Sequence, residues 1–520
     1  MDTLSHRLGD KVKGILEGFD RIVFKGILKP LAYAAGMQGF LQRKDVLNKN
    51  YKEWVSGVSG TIVQSAEEYS KREIGQGVEY LSTYKMRKEA AAHEQQKKLG
   101  IESGLVGAWS CVENCQTFKA TFNKNAGYPL ISKISSRCKH LYFYYDHEDY
   151  GFMSIRLQTW APFEIQIALN GREWLKRSLS KAGIGYALAG NKFLDIGDFD
   201  TAQKLLDSQL DTRWVDVLSS FVPSIFPAMG DIIDPEMSYT WTLWQSEWAK
   251  DYIFRNIGDL NDFMPPLLRH AFITGTGERV LRYFGHPVSE NGQPRRPAEP
   301  EIITRFNEWY DGARIRHWLD GNSLKFYNEL NVLRFEFTMN DPSKFKIHRH
   351  KEGDDSGRKL LLPMRQGIAD INTRTQVCSQ RISNLTDRVA ALDETATVEQ
   401  LISSFRNRIK DDKRSYRALD LTGKDLEFLK AVSDPVYDTD GITNKALQKK
   451  LLGSAWANGL TGKKLSAKIS RQLALFRKHG IIHKFPKQHK YFLTEKGRQL
   501  SSAIAQTLGA KLCDLAKLAA

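Results

Sequence analysis

Two adjacent segments in the middle of the chain combine residue types that can act on phosphodiesters. Alternation along an extended strand places Arg334, Glu336 and Thr338 on one face. A carboxylate on a sheet face can hold a divalent cation, Mg²⁺ or Mn²⁺, and the phenol of Tyr327 can attack phosphorus. This pattern predicts a metal-dependent nicking enzyme with Glu336 and Tyr327 as catalytic residues. The alternative, which the pattern favours, is an ordinary amphipathic strand with a surface pair between Arg334 and Glu336.

The same two segments, Lys325-Phe-Tyr327 and Leu333-Arg-Phe-Glu336, resemble a strand pair of rolling-circle replication initiators. The resemblance implies attack on one DNA strand by the tyrosine, with a metal ion held by the glutamate. Those enzymes also use a histidine or an acidic cluster on a neighbouring strand. Here His348 and His350 lie in a charged segment instead of an apolar strand, so this part of the pattern is not met.

A nuclease of the RNase H type is a second form of the enzyme hypothesis. Such a site needs three or four acids around two metal ions about 4 Å apart. Asp20, at the head of a short extended segment, is a suitable first acid, and Glu113, Asp146 and Glu164 lie on other extended segments. Nothing in the sequence shows that these acids meet. No phosphate-binding loop or hydrolase motif accompanies them.

Three cysteines and a histidine have the residue types of a structural metal site. Cys111 and Cys115 are four positions apart, and Cys138 and His140 follow after a segment long enough for a β-hairpin. If the hairpin returns Cys138 to Cys115, the four side chains supply a Cys₃His set for tetrahedral Zn²⁺. The spacing differs from that of short zinc knuckles. The alternative is therefore three core cysteines and a histidine at a strand end.

The last hundred or so residues carry a different pattern, in which helical segments precede a short hairpin. The predicted elements are helices at 424–432, 444–452 and 467–479, strands at 481–485 and 490–493, and a closing helix after Thr494. Thr443 is a fitting N-cap for the second helix. This order is typical of a winged-helix nucleic-acid-binding module, which would extend from about Leu421 to Ala520.

The third helix of this module has two contrasting faces. Ile469, Leu473 and Phe476 predict its buried stripe, and Gly480 follows where a C-cap glycine belongs. A winged helix places this helix in the major groove and its hairpin on phosphate. The candidate nucleic-acid-binding residues are Lys463, Lys464, Lys468, Arg471, Gln472, Arg477 and Lys478 around the helix, and Lys484, Lys487 and Lys490 on the hairpin.

Most of the net charge of the chain lies in this module. Between Gly441 and Leu500, fourteen Lys or Arg residues stand against one acid, Glu495, which is +13 of the total of +16. An excess of this size favours a polyanionic partner, and double-stranded DNA is the one we expect. A basic wing does not separate DNA from RNA, so RNA stays open. The alternative without nucleic acid is a basic winged helix that binds protein.

The elements in front of the module predict an α+β, multidomain protein with a helical N-terminal part and a central antiparallel sheet. The first hundred residues read as mostly helical, with one extended stretch at 20–24, and the tryptophan-rich residues 237–255 read as a helix. The predicted domains are a helical region at 1–100, an α+β region at 101–285, a second strand cluster with helices at 301–415, and the winged helix at 421–520.

Residues 464–493 resemble the recognition helix and wing of MarR-type regulators. Such regulators are much shorter and dimerise through their own terminal helices. The resemblance therefore implies a homodimer, but it leaves the long N-terminal part unexplained. With four other stretches, the chain resembles a family of bacterial proteins of similar length: Phe19–Gly26, Cys111–Cys115, Arg156–Trp160 and Asn170–Trp174. That resemblance implies association with DNA and with mobile elements. It implies no established reaction and transfers no catalytic residue.

Composition bounds the remaining possibilities. The chain has 520 residues, of which 41% are hydrophobic, enough for several folded domains. The absence of an apolar leader or a long apolar run, together with only five cysteines, predicts a cytoplasmic protein without a membrane partner. We expect a DNA-binding protein whose winged helix docks a large α+β body, as in a transcriptional regulator. The alternative is a metal-dependent DNA-processing enzyme of a mobile element: a nickase, a nuclease, or a transposition or replication factor.

Overall fold

Helices and strands are mixed along the whole chain in the computed structural model, which confirms the α+β class. The residues that the structure describes are 3–81, 87–286, 301–310, 312–351, 353, 359–389, 398–403, 405–411, 414–437, 441–484 and 489–509. The predicted turn of the hairpin at 486–488, with Lys487, lies outside them. Residues 287–300, a stretch rich in proline, also lie outside the described residues.

Helices lie between the strands along the described part of the chain. Their bounds are α1 (Thr3–Leu8), α2 (Ala34–Arg43), α3 (Tyr51–Ile74), α4 (Lys88–Leu99), α5 (Gly171–Lys181), α6 (Phe199–Asp207), α7 (Trp214–Ser220), α8 (Val222–Ile225), α9 (Met229–Ile232), α10 (Ile257–Thr274), α11 (Gly277–Tyr283), α12 (Ile371–Val389), α13 (Val398–Ser403), α14 (Leu426–Val432), α15 (Asn444–Leu451), α16 (Gly462–Lys478) and α17 (Glu495–Gly509). Within the described residues, no helix combines the length and apolarity needed to cross a bilayer.

Most of the strands belong to one large sheet. The strand bounds are β1 (Val12–Leu28), β2 (Glu79–Tyr80), β3 (Gly104–Asn123), β4 (Tyr128–His147), β5 (Gly151–Gln158), β6 (Ile165–Asn170), β7 (Tyr186–Ala189), β8 (Lys192–Ile196), β9 (Tyr239–Phe254), β10 (Ile303–Trp309), β11 (Gly312–Leu319), β12 (Asn322–Glu329), β13 (Val332–Met339), β14 (Lys346–His350), β15 (Lys359–Pro363), β16 (Ile409–Asp411), β17 (Arg414–Tyr416), β18 (Ile482–Lys484) and β19 (Tyr491–Leu493). Eleven described strands form this sheet in the order β10-β11-β12-β13-β9-β1-β6-β5-β4-β3-β2, and β14 to β19 and β7 to β8 form separate pairs.

The strand β1 corrects the length of the extended stretch predicted among the first hundred residues, most of whose other described residues are helical. It spans 17 residues, where the sequence predicted extended structure only at 20–24. Glycines broke up its apolar pattern. Gly18 and Gly26 lie where other side chains pack directly on the strand, since an added Cβ would sit 2.5 Å from Leu206 and 2.7 Å from Trp241. A glycine inside a strand often marks such a close approach.

The strand β9 corrects a second prediction, because residues 237–255 form a strand and not a helix. At its start Tyr239, Trp241 and Leu243 are buried and alternate with half-buried residues. That period of two is the strand period. The richness in tryptophan hid it, since large aromatic residues fit either a buried helix face or a pleated surface.

The strands β3 and β4 form a hairpin with twenty residues on each side. They pair in antiparallel register along almost their whole length, and the register sets Cys111 opposite His140 and Glu113 opposite Cys138. Residues two apart on a strand share a face. The hairpin therefore fixes the neighbours of every predicted zinc ligand, because all four lie on it.

The chain folds into two compact units, each built from separated stretches. One comprises Met1–Gly14, Asp251–Phe337 and Cys378–Ala520, and the other comprises Ile15–Lys250 and Thr338–Val377. The first unit contains α14 to α17, whose side chains form a core of their own that includes Phe428, Leu447, Ile469, Phe476 and Leu500. The predicted domain boundaries stay a prediction.

Candidate functional site

The basic C-terminal segment is organised around α16. Leu465, Ile469, Leu473 and Phe476 are buried, so the predicted stripe is confirmed. The helix begins at Gly462, before the predicted start at 467, which brings two of the predicted lysines into its first turn. Its opposite face is left to basic and small polar side chains.

Hydrogen bonds fix α15 against α16. The Thr443 hydroxyl accepts from the backbone N–H of Ala446 at 3.2 Å, so the predicted N-cap is confirmed. The Asn444 side-chain amide donates to the carbonyl of Ser466 at 2.9 Å and to the hydroxyl of Ser470 at 2.8 Å. These bonds set the angle between the two helices.

A hydrogen-bond network around a buried carboxylate joins α16 to the segment that leads into α14. The Arg417 guanidinium donates to both carboxylate oxygens of Asp425 at 2.6 Å, and Gln472 donates to Asp425 at 2.7 Å. Burial alone would raise the pKa of Asp425, but the hydrogen bonds from Arg417 and the backbone of Asp420 hold that pKa below its ordinary value. The bidentate pair keeps the carboxylate charged inside the fold.

This hydrogen-bond network corrects the predicted role of Gln472. Gln472 was expected on the outer face with Arg471, but it is only 8% exposed and it bonds to Asp425 and Arg417. The turn of the helix explains the difference, because Gln472 stands three positions after Ile469 and four before Phe476, on the side of the buried stripe. Its side chain belongs to the interior of the segment.

The other predicted nucleic-acid-binding residues divide into two groups by exposure. Lys468 donates to the carbonyl of Trp456 and lies 4.4 Å from the centre of its ring, and Lys478 lies 5.5 Å from the ring of Tyr416. These two lysines already pack on the segment. Lys463, Lys464, Arg471, Arg477 and Lys484 are exposed, whereas Lys468, Lys478 and Lys490 are half-buried.

Two carboxylates of the second unit meet in the large sheet. Asp20, on β1, and Glu247, on β9, each offer an oxygen, and these atoms lie within 4.8 Å of each other. Glu336, on β13 of the first unit, pairs with Lys325. The sequence singled out Asp20 and Glu336 separately. It missed Glu247 because β9 was predicted as a helix, and strand alternation along β9 is the signal that could have found it.

The surroundings of these acids allow two interpretations. Asn191 donates to Asp20 at 2.6 Å, the Arg172 guanidinium lies 3.9 Å from Asp20, and the Lys325 ammonium lies 2.5 Å from Glu336. Carboxylate oxygens are the ligands that Mg²⁺ and Mn²⁺ prefer, so Asp20 and Glu247 supply two ligands of the kind that such an ion takes. The nearby cations give the alternative, a buried network of ion pairs.

The remaining residues of the enzyme hypothesis lie at different places. Tyr327 is half-buried on β12, two positions from Lys325 on the same face, and the Lys325 ammonium lies 5.6 Å from the centre of its ring. It therefore shares a face with the cation that pairs with Glu336. The other acids pair elsewhere: Glu113 with Lys88, Asp146 with Arg177, and Glu164 with Lys25.

The predicted zinc ligands surround an ion-pair network. Glu113 lies between Cys111 and Cys115 along β3, and it accepts from Lys88 and from the hydroxyl of Tyr142, both at 2.6 Å. Burial would raise the pKa of Glu113, but these two hydrogen bonds lower it to about 2. A charged carboxylate with its own cation thus occupies the middle of the face.

The histidine of this set is also engaged. Its Nε2 accepts from the Arg156 guanidinium at 3.0 Å, so Nδ1 carries the proton and donates to the carbonyl of Cys138 at 3.1 Å. Burial, and then the charge of Arg156, lower the pKa of His140 to about 4. Burial also raises the pKa of Cys111 to about 12, which opposes a metal-binding thiolate. This arrangement does not fit a Cys₃His site, and zinc stays an untested prediction.

Comparison with known proteins finds no relative on which to base a function. No protein-family model, no curated protein and no solved structure matches the chain. The function therefore has to be inferred from the basic C-terminal segment and from the acids of the sheet.

Proposed function

We propose that residues 421–520 are a winged-helix module and that the protein binds double-stranded DNA through it. The order of the elements supports the proposal: three helices, α14 to α16, then the hairpin of β18 and β19, then α17. In such a module α16 enters the major groove, and the hairpin lies against the phosphate backbone. The observation that carries the proposal is the division of α16 into a buried apolar stripe and an exposed basic face.

Charge supports a polyanion as the partner of this face. Lys463 and Lys464 open the helix and Arg477 stands in its last turn, all three exposed. Lysine and arginine that neutralise phosphates release condensed counterions, which supplies much of the affinity for DNA. Residues 441–500 carry a net +13, so a strong dependence on salt is expected.

In this proposal, recognition of the DNA sequence depends on Arg471. It is exposed near the middle of α16, whereas the neighbouring Gln472 is held inside by Asp425. An arginine that contacts the O6 and N7 of guanine discriminates against the wrong base by about 1–3 kcal/mol. The large α+β body would then be placed on a DNA site, as in a transcriptional regulator. RNA is the alternative ligand.

The test is a titration of the full-length protein with labelled duplex DNA and duplex RNA at several salt concentrations. Arg471→Ala should weaken binding to a preferred sequence, and Lys463→Ala should weaken binding to every sequence alike. Lys424→Ala, at an exposed lysine outside the basic stretch, is the control. Binding of wild type that does not weaken with salt, or equal effects of all three changes, would contradict the proposal.

The acids of the second unit favour a second function, cleavage of nucleic acid with Mg²⁺ or Mn²⁺. Asp20 and Glu247 would hold the ion, and the ion would polarise the phosphate and stabilise the leaving oxygen. Two routes to the broken bond are open. Tyr327 could attack the phosphorus and stay attached to the DNA, or water could attack instead.

Incubation of labelled DNA with the protein and either metal tests this second function. Glu247→Gln should abolish cleavage, whereas Glu308→Gln, at an exposed glutamate of β10, should not. Tyr327→Phe separates the two routes, because only attack by tyrosine leaves a covalent protein–DNA product. No cleavage by wild type with either metal would leave the DNA-binding proposal alone.

A further inference from the structure

The outer half of the hairpin formed by β3 and β4 extends beyond its neighbouring strands in the sheet. The strand β2 pairs with β3 at Trp109 and Ser110, and β5 pairs with β4 at residues 140–147. Beyond these positions, residues 114–123 of β3 pair with residues 128–137 of β4. We name residues 114–139, with the turn between the strands, the β3–β4 extension.

The β3–β4 extension carries five cations and no acid. Its cations are Lys119, Lys124, Lys133, Arg137 and Lys139, and all five are exposed. The nearest acids along the sequence are Glu113 and Asp146. Lys133 contacts a carbonyl, that of Ala32 at 3.5 Å, and within the described part of the chain none of the five pairs with a carboxylate. Their charge is therefore available to an anionic partner.

Two aromatic side chains stand at the tip of the β3–β4 extension. Phe122 is 63% exposed and Tyr128 is 52% exposed. The register sets Phe122 opposite Pro129 and Asn123 opposite Tyr128. Directly opposed residues share a face, and consecutive residues of a strand point to opposite faces. The two rings therefore lie on opposite faces of the extension, at adjacent pairs.

A lysine accompanies each ring on its face. Lys119 lies four positions before the partner of Tyr128 on β3, so these two side chains share a face. Lys133 lies four positions after the partner of Phe122 on β4, so the same holds for them. Each face near the tip thus combines one ring with one cation.

The turn at the tip is held by its own hydrogen bonds. The Asn123 side chain accepts from the backbone N–H of Asn125 and from that of Ala126, both at 3.0 Å. Gly127 closes the turn with a φ of +75°, and its N–H donates to the carbonyl of Asn123 at 2.9 Å. A fixed turn holds both rings in place, so less ordering has to accompany the binding of a ligand.

Exposed cations and exposed rings together are typical of surfaces that bind single-stranded nucleic acid. The cations follow the phosphate backbone, and the rings stack on bases whatever their sequence. In a duplex the faces of the bases are covered by their neighbours, so exposed rings favour a single strand. A single exposed ring is common on protein surfaces, but here two rings share a tip with cations that lack an acidic partner among the described residues.

We propose that the β3–β4 extension binds single-stranded nucleic acid, as a second binding surface in addition to the winged helix. The choice of nucleic acid as the polyanion rests on the proposed function. Lys119, Lys124 and Lys133 contact phosphates, and the rings of Phe122 and Tyr128 each stack on a base. The contact is independent of sequence, because neither kind of interaction distinguishes the bases.

Titration of the full-length protein with labelled single-stranded DNA of mixed sequence tests the role of the rings. Phe122→Ala with Tyr128→Ala should weaken binding by about 5- to 150-fold for each base that loses its stack. The slope of log affinity against log salt should stay unchanged, since neither ring is charged. Phe122→Tyr with Tyr128→Phe keeps both rings and should bind as wild type does.

The salt dependence of the same titration tests the role of the lysines. Lys119→Ala with Lys133→Ala should lower the slope by about 0.7 for each lost phosphate contact. Lys97→Ala with Lys98→Ala is the control, because it removes two exposed lysines of α4 in the same compact unit. This control should leave the slope unchanged.

Single-strand affinity and salt slope equal to wild type in the ring and lysine variants would overturn the proposal. Losses as large on duplex DNA as on single strands would overturn it too. A third contrary result is loss of binding to vesicles of anionic lipid with DNA binding unaltered, since the extension would then be a membrane contact.

The same titrations distinguish this proposal from the winged-helix proposal. If Lys463→Ala weakens duplex binding and the variants of the β3–β4 extension change nothing, the proposed function stands and the extension has no part in it. If only the variants of the extension weaken binding, and only to single strands, the extension binds nucleic acid and the winged-helix proposal fails.

Discussion

Gln472 donates a hydrogen bond to the carboxylate of Asp425 at 2.7 Å, inside the C-terminal segment. Its neighbour on the helix, Arg471, is exposed. Two adjacent polar residues of α16 therefore have different tasks. One holds the helix to the rest of the module, and the other is available to a ligand.

The first prediction separates these tasks. Gln472→Ala should lower the free energy of unfolding of the C-terminal segment by about 1–3 kcal/mol, because it removes a hydrogen bond from a buried charged group. It should leave the sequence preference for DNA unchanged. Denaturant unfolding measures the first quantity, and competition between DNA sequences measures the second.

Arg471→Ala is the matched comparison and should show the reverse pattern. Its side chain is exposed and bonds only to a carbonyl of its own helix, that of Ala467 at 3.3 Å, among the contacts described. Loss of stability within about 0.5 kcal/mol is expected for such a surface change. If Gln472→Ala altered sequence preference and Arg471→Ala did not, the proposed orientation of α16 on DNA would be incorrect.

A second prediction concerns acid stability and Glu113. Its pKa in the folded protein is about 2, below the ordinary value of 4.5, so the group stabilises the fold above pH 4.5. That contribution should be lost as the pH falls from about 4.5 to about 2. The Tm of Glu113→Gln should therefore fall less steeply with decreasing pH over this range than the Tm of wild type.

His140 has to be distinguished from Glu113 in this experiment. Its pKa is lowered from 6.5 to about 4, so its neutral form favours the fold, and that stability is lost between these two values. The two windows overlap only near their ends. Glu113→Gln should therefore leave the part of the melting profile between pH 6.5 and 4.5 nearly unchanged. A change confined to that part would assign the effect to the histidine.

The C-terminal segment was the part of the fold most open to prediction. Thr443, Gly480 and the stripe that includes Ile469 are local signals, each fixed by the geometry of one helix end or face. The start of α16 was missed because Gly462 and two lysines carry no apolar signal. Gln472 was misplaced because only its partner Asp425, far away in sequence, explains its burial.

The acids of the sheet show where prediction from sequence stops. Asp20 was visible as an acid on an extended segment, but its meeting with Glu247 depends on which strands are neighbours. That order is set by pairing between distant parts of the chain, and no local pattern encodes it. Glu247 was lost with β9, where aromatic residues concealed the period of two.

A third prediction addresses the cysteines. Purified protein should contain much less than one zinc ion per chain, because Arg156 occupies the Nε2 of His140 and Glu113 holds the middle of the face. Removal of the guanidinium by Arg156→Ala frees the Nε2 of His140, so zinc should appear in the variant only if that contact is what keeps the ion out. Metal analysis of both proteins checks this. Stoichiometric zinc in wild type, lost in a Cys115→Ser variant, would restore the zinc site.

The last prediction tests Asp20 and Glu247 by their effect on stability. Mn²⁺ or Mg²⁺ bound at these two acids would stabilise the fold by about 2.7 kcal/mol when the free ion is at about 100 times its Kd. The Tm of wild type should therefore rise with metal concentration. Glu247→Gln should lose this rise, and Glu308→Gln, at an exposed glutamate, should keep it.

The metal-free Tm of Glu247→Gln decides between the two interpretations of the cluster. Carboxylates this close repel one another, so a variant with one charge fewer should melt at the same temperature as wild type or higher if the acids await a cation. If they serve only as partners of cations such as Arg172, the change breaks a buried network and should lower the Tm. In that case the Tm of Glu247→Gln is below that of wild type, and added metal changes the Tm of neither protein. These two results together would exclude the metal site. If the acids do bind a cation, the variant should instead lose the rise of Tm with metal and keep its metal-free Tm.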